Sequence, residues 1–188
     1  MNNQSGKGGG VGDGATSRRA VLKAAATLAV LGGGGAFAPP ARANDLHVGK
    51  PAPPATLVTM DGKHLATSDL RGRVVILTFL ATWCVPCREE LPLLSSYLKE
   101  HASRGLTVLG FSLDDPDRTE DVRAMAAPLS FPVGLLSASS ASGYGRIWHI
   151  PVSFTIDRTG VLADDGWKDK HPVWTPERLA RVVDPLLV

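Results

Sequence analysis

Residues 79–92 read FLATWCVPCREELP, and this stretch decides the fold. It overlaps the end of a near-continuous apolar run at 74–80, which predicts a central β-strand at 73–80 that is covered on both faces. A helix is expected to start near Cys84 and to end at about His101. The motif Cys84-Val85-Pro86-Cys87 therefore lies where a buried strand passes into a helix.

The placement of the two cysteines predicts redox chemistry. They are the only cysteines of the chain, too few for a disulfide scaffold or a closed four-ligand zinc site. The free N–H groups and the dipole at a helix N-terminus favour an anion, so Cys84 is expected to form the attacking thiolate. Cys87 falls one turn later, on the same face as Leu91 and Leu94, and is expected to face the core and resolve the mixed disulfide. Pro86 falls in the first turn, where a missing N–H costs little.

Glu90 follows Cys87 by three residues and has two interpretations that sequence geometry leaves open. Its carboxylate could be partly buried beside the inner thiol, where it would take or return the thiol proton. It could equally be a solvated acid in the first turn, favoured there by the helix dipole.

The remaining pattern predicts an α/β domain with a mixed sheet. An N-terminal hairpin is expected at 56–65, with its turn at 60–62. Further strands are expected at 106–111, 131–136, 152–156 and 161–163, and a partly helical acidic segment at 114–127. A final helix is predicted to begin after a Thr175 cap, with Pro176 as its first residue. The spacing of its apolar residues predicts a buried stripe of Leu179, Val182, Val183 and Leu186.

Residues 1–43 have the three parts of an export signal. Residues 5–14 are Gly-rich and polar and are expected to be disordered. Arginines 18 and 19 precede an apolar, glycine-diluted stretch at 24–38 and a small-x-small cleavage pattern at 41–43. These features predict a twin-arginine type of signal. The apolar stretch is marginal as a membrane span, so an uncleaved N-terminal anchor stays open.

The mature domain is then expected to comprise residues 44–188. It has fifteen Lys and Arg against seventeen Asp and Glu, a net charge of −2, whereas the whole chain carries +2. The excess positive charge therefore belongs to the leader. The domain has no basic patch of the kind that binds nucleic acid.

The stretch 79–92 resembles the active-site segment of the TlpA/ResA-like thioredoxins, which are exported and often membrane-tethered disulfide reductases. The segments GKPAP (49–53), YG (144–145) and IPVSFTIDRTG (150–160) resemble further signatures of that family, so the resemblance spans roughly 46–188. It implies a thioredoxin-like fold, in which helices flank a central mixed β-sheet. It also implies that the acidic segment is a helical insertion relative to plain thioredoxin.

The same resemblance implies roles for individual residues. Pro151 would be a cis-proline against the disulfide, and the backbone of Ile150 would pair with an extended substrate strand. Glu90 falls on the acidic position that the family uses near the inner cysteine. Trp83 and Pro86 are expected to join Ile150 in contacting substrate.

Two positions depart from the family pattern. Thr78 stands where thioredoxin has a buried Asp and this family often has Asn, so proton handling is expected to shift to Glu90 or water. His149 stands where glycine is common. Whether it and the neighbouring Trp148 pack internally or contact a partner is left open.

Together these features predict an exported, periplasmic thiol:disulfide oxidoreductase. It would reduce cysteine pairs in exported clients of cytochrome c or copper-oxidase maturation, using electrons from a membrane donor of thioredoxin-reducing type. The Cys84–Cys87 disulfide would be its redox group, with no cofactor and no metal. A monomer is expected, with membrane contact only through an uncleaved leader.

Two other functions are alternatives. One is a thiol peroxidase of the peroxiredoxin type, which shares the fold but needs a Thr where Ala81 stands. The other is a copper metallochaperone, although the five histidines show no ligand spacing with the cysteine pair.

Overall fold

The computed structural model describes residues 46–188. The predicted leader and export signal at 1–43, and the domain boundary at 44, lie outside the described residues. The elements of the described part follow the chain in this order: β1 (Thr56–Val58), β2 (His64–Ala66), β3 (Val74–Leu80), α1 (Val85–His101), β4 (Leu106–Ser112), α2 (Thr119–Ala126), β5 (Val133–Leu135), β6 (Val152–Ile156), β7 (Leu162–Asp165) and α3 (Pro176–Val182).

Five strands form a mixed central sheet in the order β5-β4-β3-β6-β7. Strand β3 lies parallel to β4, and β4 lies parallel to β5. On its other side β3 pairs with β6 in antiparallel fashion, and β6 pairs with β7 likewise. All seven residues of β3 are buried, as expected from its apolar run. The predicted α/β mixed sheet is confirmed.

The two faces of the sheet carry separate cores, because successive side chains of a strand point to opposite faces. Ile76 and Leu80 of β3 join the core that contains the buried apolar residues of all three helices. Leu77 and Phe79 join the second core. That second core is covered by β1, through Leu57, and by loops and short 3₁₀ turns.

The N-terminal hairpin is present as predicted. Strands β1 and β2 pair in antiparallel register with Leu57 opposite Leu65. The turn between them contains Gly62 with φ of 81°, a left-handed conformation that glycine adopts without strain.

The C-terminal helix differs from its prediction. Thr175 caps α3, and its side chain accepts the N–H of Arg178, as the sequence indicates. The α-helix ends at Val182, however, and a 3₁₀ turn follows at Asp184–Leu186. Pro185 has no N–H to continue the helix, and the tighter turn changes which side chains face inward. The predicted buried stripe is therefore wrong in part. Leu179, Val183 and Leu187 are buried, whereas Val182 and Leu186 are only partly buried.

Among residues 46–188, no helix combines the length and the apolar character that crossing a bilayer requires.

Candidate active site

The two cysteines lie at the N-terminus of α1, directly after β3. Cys84 is the N-cap of the helix, and its sulfur accepts the backbone N–H of Cys87 at 3.2 Å. The two sulfurs are joined as a disulfide. Pro86 occupies the first turn, where its missing N–H leaves no gap in the helix. When the disulfide is reduced, the same N–H donor and the helix dipole favour a thiolate on Cys84.

Cys84 is more exposed than Cys87, as the sequence predicts, although the two exposed fractions differ little. Cys84 is 5% exposed and Cys87 is fully buried. The surface around them is formed by apolar side chains that are more than half exposed, Trp83 and Val85. A partner that reaches Cys84 therefore contacts apolar surface first.

An aspartate anchors the loop that leads to Cys84. Asp114 follows β4 and accepts both the N–H of Thr82, at 2.8 Å, and its hydroxyl, at 2.6 Å. Its carboxylate also accepts the hydroxyl of Ser112. Burial acts to raise the pKa of Asp114, but these hydrogen bonds outweigh it, and the pKa lies below its usual range. Asp114 therefore stays ionised and fixes the approach to the motif.

Strand β6 brings Pro151 to the same edge of the sheet. Val152, the first residue of β6, pairs with Phe79 near the end of β3. Pro151 precedes this pair, and the Ile150–Pro151 peptide bond is cis, as the resemblance implies. Ile150 is partly buried and packs against the core that contains the cysteines.

Glu90 is buried, and the solvated interpretation of its side chain is wrong. It lies on the inner face of α1 with 3% exposure. Its Oε2 accepts the backbone N–H of Trp174 at 2.7 Å, while its Oε1 has no hydrogen-bond partner in the described residues. Burial raises the pKa of Glu90 to about 7, against opposing effects of the Trp174 N–H and the charge of Arg178. A carboxyl group with such a pKa can both take and give a proton near neutral pH.

Hydroxyl groups line the sheet on the side of Glu90. Thr78 of β3 is fully buried and pairs in register with Ser153 of β6. The Ser153 hydroxyl accepts the indole N–H of Trp174 at 3.0 Å. Within residues 46–188 the hydroxyls of Thr78 and Thr155 have no partner. Thr78 is neutral, so Glu90 is the acidic group on this face of the cysteine pair.

Trp148 and His149, whose roles the sequence did not decide, form an aromatic cluster with Trp167. Trp148 is 72% exposed, and its ring stacks on that of Trp167 with centroids 5.5 Å apart. The ring of His149 meets both tryptophans edge-on. His149 therefore packs against aromatic rings, while Trp148 also presents a broad apolar surface beside Pro151.

Two residues of the site were missed from the sequence. Asp114 could have been found, because an acid directly after a buried parallel strand lies at the carboxyl edge of the sheet, where sites form. The role of Trp174 could not be predicted from neighbouring residues, because its backbone N–H donates to Glu90, which lies 84 residues away in sequence.

A mixed sheet with a cysteine pair at the first helix and a cis-proline just before the adjacent strand defines a thioredoxin-like protein. Comparisons with known proteins agree with this class. The sequence profile of the AhpC/TSA family matches residues 48–164. The chain therefore belongs to the AhpC/TSA family, and its relatives place it among the TlpA/ResA-like proteins.

Two of these relatives are named as a thiol-disulfide oxidoreductase and as a thioredoxin-like protein. The chain is 28% identical over 119 residues to the thiol-disulfide oxidoreductase ResA of Bacillus thuringiensis (strain Al Hakam), covering 63% of this chain and 69% of the relative. It is 33% identical over 119 residues to the thioredoxin-like protein YneN of Bacillus subtilis, covering 62% and 69%.

A solved structure agrees with these sequence relatives. A thiol:disulfide interchange protein of the thioredoxin family from Chlorobium tepidum superposes with a TM-score of 0.62 at 29% identity, over 77% of this chain and 99% of that one. The present chain is a thiol-disulfide oxidoreductase.

Proposed function

We propose that this oxidoreductase works as a reductase, passing two electrons from the Cys84–Cys87 dithiol to disulfides in exported proteins. The observation that carries the proposal is the asymmetric placement of the pair. Cys84 caps a helix N-terminus beside exposed apolar surface, and Cys87 lies fully buried behind it.

The exchange would proceed in two steps. The Cys84 thiolate attacks one sulfur of the client disulfide, that S–S bond breaks, and the released client thiolate takes a proton. The Cys87 thiol then gives its proton to Glu90 and attacks the Cys84 sulfur of the mixed disulfide. This step releases the second client thiolate, which is protonated in turn, and leaves Cys84–Cys87 oxidised.

Glu90 is the proposed proton acceptor for Cys87. It follows Cys87 by one helical turn, it is buried with it, and its pKa of about 7 suits proton transfer at neutral pH. Its unpartnered Oε1 is the oxygen that would receive the proton.

The client would dock as an extended strand along Ile150 and Pro151. Trp83 and Pro86 border the cysteine pair and are exposed, which supports their proposed contact with the client. The clients we propose are exported proteins with cysteine pairs, such as apocytochrome c or copper-oxidase assembly proteins. The enzyme would act in the periplasm as a monomer, without a cofactor, and a membrane protein of thioredoxin-reducing type would restore its dithiol.

Trapping tests the assignment of the two cysteines. Cys87→Ser should accumulate a mixed disulfide on Cys84, because the resolving thiol is gone, and mass spectrometry of the captured protein would identify the client. Cys84→Ser should capture nothing. The assignment is reversed if Cys84→Ser captures clients and Cys87→Ser does not.

Three further measurements test the direction of electron transfer and the kind of reaction. The reduction potential should lie nearer the thioredoxin value of about −270 mV than the DsbA value of about −120 mV, and a value near the latter would contradict a reductase. Rapid peroxide consumption that survives Cys87→Ser would instead support the peroxidase alternative. Tight copper binding by the reduced protein, lost in Cys84→Ser, would support the metallochaperone.

A further inference from the structure

Arg178 is a buried cation in the first turn of α3, far along the chain from the cysteines. It is only 2% exposed. Its guanidinium donates to Asp164 at 2.7 Å, to Asp169 at 2.9 Å and to the carbonyl oxygen of Pro172 at 2.6 Å. One planar group thus fixes the end of β7 and the segment that leads to α3. Arginine suits such a site because its donors have a rigid geometry.

The same guanidinium lies over the ring of Trp174, with Cζ 4.0 Å from the ring centroid. Trp174 is held at two further points. Its indole N–H donates to Ser153 of β6, and its backbone N–H donates to Glu90 Oε2 at 2.7 Å. The donor that holds the Glu90 carboxylate is therefore fixed by Arg178 on one side and by the sheet on the other.

The charge of Arg178 also acts on Glu90 directly. Burial raises the pKa of Glu90, and the positive charge of Arg178 opposes that rise. On its own helix, Arg88 and Glu89 are exposed to solvent, where water screens their charge. Two carboxylates, Asp164 and Asp169, pair with the Arg178 guanidinium and face it from β7 and from the segment before α3. Trp174, which holds Glu90, and the Ser153 hydroxyl that Trp174 contacts are uncharged.

We propose that Arg178 is a positioning residue for Glu90, acting through Trp174: it packs over the Trp174 ring and so fixes the backbone N–H that holds the Glu90 carboxylate. The proposal rests on the proposed role of Glu90 as the proton acceptor of Cys87. Arg178 itself is buried and donates its hydrogen bonds to Asp164, Asp169 and Pro172.

The test is the titration of the Glu90 carboxyl carbon, followed by ¹³C NMR in the oxidised full-length protein and assigned with Glu90→Gln. In Arg178→Gln the midpoint should rise by about one pH unit, because a buried positive charge near the carboxylate is lost. The matched control is Arg181→Gln. Arg181 lies one turn later on the same helix and approaches the same Asp169 oxygen at 3.7 Å, but its side chain is 65% exposed. Its removal should leave the midpoint unchanged.

A second pair of variants covers the case in which Arg178→Gln does not fold. Arg178→Lys keeps the charge but loses the planar donor geometry and the stack on Trp174, so the midpoint should rise, but by less than in Arg178→Gln. Asp169→Asn removes a negative partner of Arg178. Burial acts to raise the pKa of Asp169, but hydrogen bonds from His171 and Arg178 and the charge of Arg178 lower it, so it is ionised at neutral pH. Its loss should lower the Glu90 midpoint, opposite to Arg178→Gln.

The outcomes separate this proposal from the proposed function. An unmoved midpoint in Arg178→Gln or in Asp169→Asn, or an equal shift in Arg181→Gln, overturns the link between Arg178 and Glu90. The pH profile of insulin disulfide reduction is measured in parallel. It should shift with the midpoint in Arg178→Gln, and the double variant with Glu90→Gln should match Glu90→Gln alone. The Glu90 midpoint could move in Arg178→Gln while the pH profile of insulin reduction stays the same. In that case the proposed role of Glu90 in turnover is wrong, and the link between Arg178 and Glu90 still holds.

Discussion

At the scale of single residues, Glu90 is a carboxyl group whose folded surroundings disfavour its charge. Its side chain is buried, and one oxygen has no partner among the described residues. Its pKa is about 7 in the folded protein against 4.5 in a solvated chain. Ionisation of such a buried carboxyl lowers the stability of the folded protein. Carboxyl groups with pKa values raised in this way are often found at functional sites.

Glu90→Gln should remove a pH dependence of stability. Below about pH 4.5 the carboxyl is neutral in both the folded and the unfolded state. As the pH rises to about 7, the unfolded chain loses this proton first, so the free energy of unfolding should fall by about 3 kcal/mol. The variant lacks this fall, because its amide does not titrate. Urea denaturation of the oxidised proteins between about pH 4 and about pH 8 measures the difference.

The neighbouring Glu89 offers the matched control. It is exposed on the same helix, and Glu89→Gln should follow the wild-type curve. Parallel curves for wild type and Glu90→Gln would contradict the raised pKa of Glu90.

At the scale of elements, the N-terminal hairpin packs directly on the edge strand β5. A Cβ atom added at Gly134 would lie 1.9 Å from the carbonyl oxygen of Val58 in β1. The backbone N–H of Met60 also donates to the carbonyl of Val133 at 3.1 Å. The absence of a side chain at Gly134 is what allows β1 to approach.

Gly134→Ala should therefore separate the hairpin from the sheet. The clash is with backbone, which cannot rotate away, and we expect a loss of roughly 1–3 kcal/mol in the free energy of unfolding. Gly110→Ala on the adjacent strand β4 is the control. There the added Cβ would meet the Val133 side chain at 3.0 Å, which can adjust, so the loss should be smaller. Equal losses in urea denaturation would show that the close approach of β1 is not the cause.

At the scale of the whole molecule, Arg158 joins segments that are distant in sequence. It lies in the turn between β6 and β7. Its guanidinium donates to the carbonyl oxygens of Gly72 at 2.8 Å, Arg104 at 2.7 Å and Leu186 at 3.3 Å. One guanidinium therefore binds three segments: the turn before β3, the 3₁₀ turn after α1 and the C-terminal turn.

Arg158→Ala should loosen all three segments at once. Three carbonyls lose a charged donor, and we expect the free energy of unfolding to fall by roughly 1–3 kcal/mol. Hydrogen exchange should quicken in all three segments, because each loses a hydrogen bond to the same guanidinium. Arg146→Ala, at an exposed position, serves as the comparison. If both variants unfold at the same urea concentration, Arg158 does not hold these segments together.

The sequence predicts most of the fold because its signals are local. The apolar run of β3 and the Thr175 cap each depend on neighbouring residues, and both were found correctly. The buried stripe of α3 was partly wrong, because Pro185 changes the helical geometry and the choice between Leu186 and Leu187 depends on what they pack against. The role of Trp174 was missed because its partner Glu90 lies 84 residues away in sequence, whereas Asp114 had a local signal in its position after β4.

The sequence alone determined that this protein has a redox-active cysteine pair at a strand-to-helix junction, since adjacency along the chain and apolar spacing place both sulfurs. It also determined the class of reaction, through the motifs around that pair. Only the tertiary structure decided the environment of Glu90. The N–H that holds it comes from Trp174, and the charge that opposes its protonation comes from Arg178. The physical reason is that a pKa depends on burial and on groups close in space, and packing brings these together across more than eighty residues.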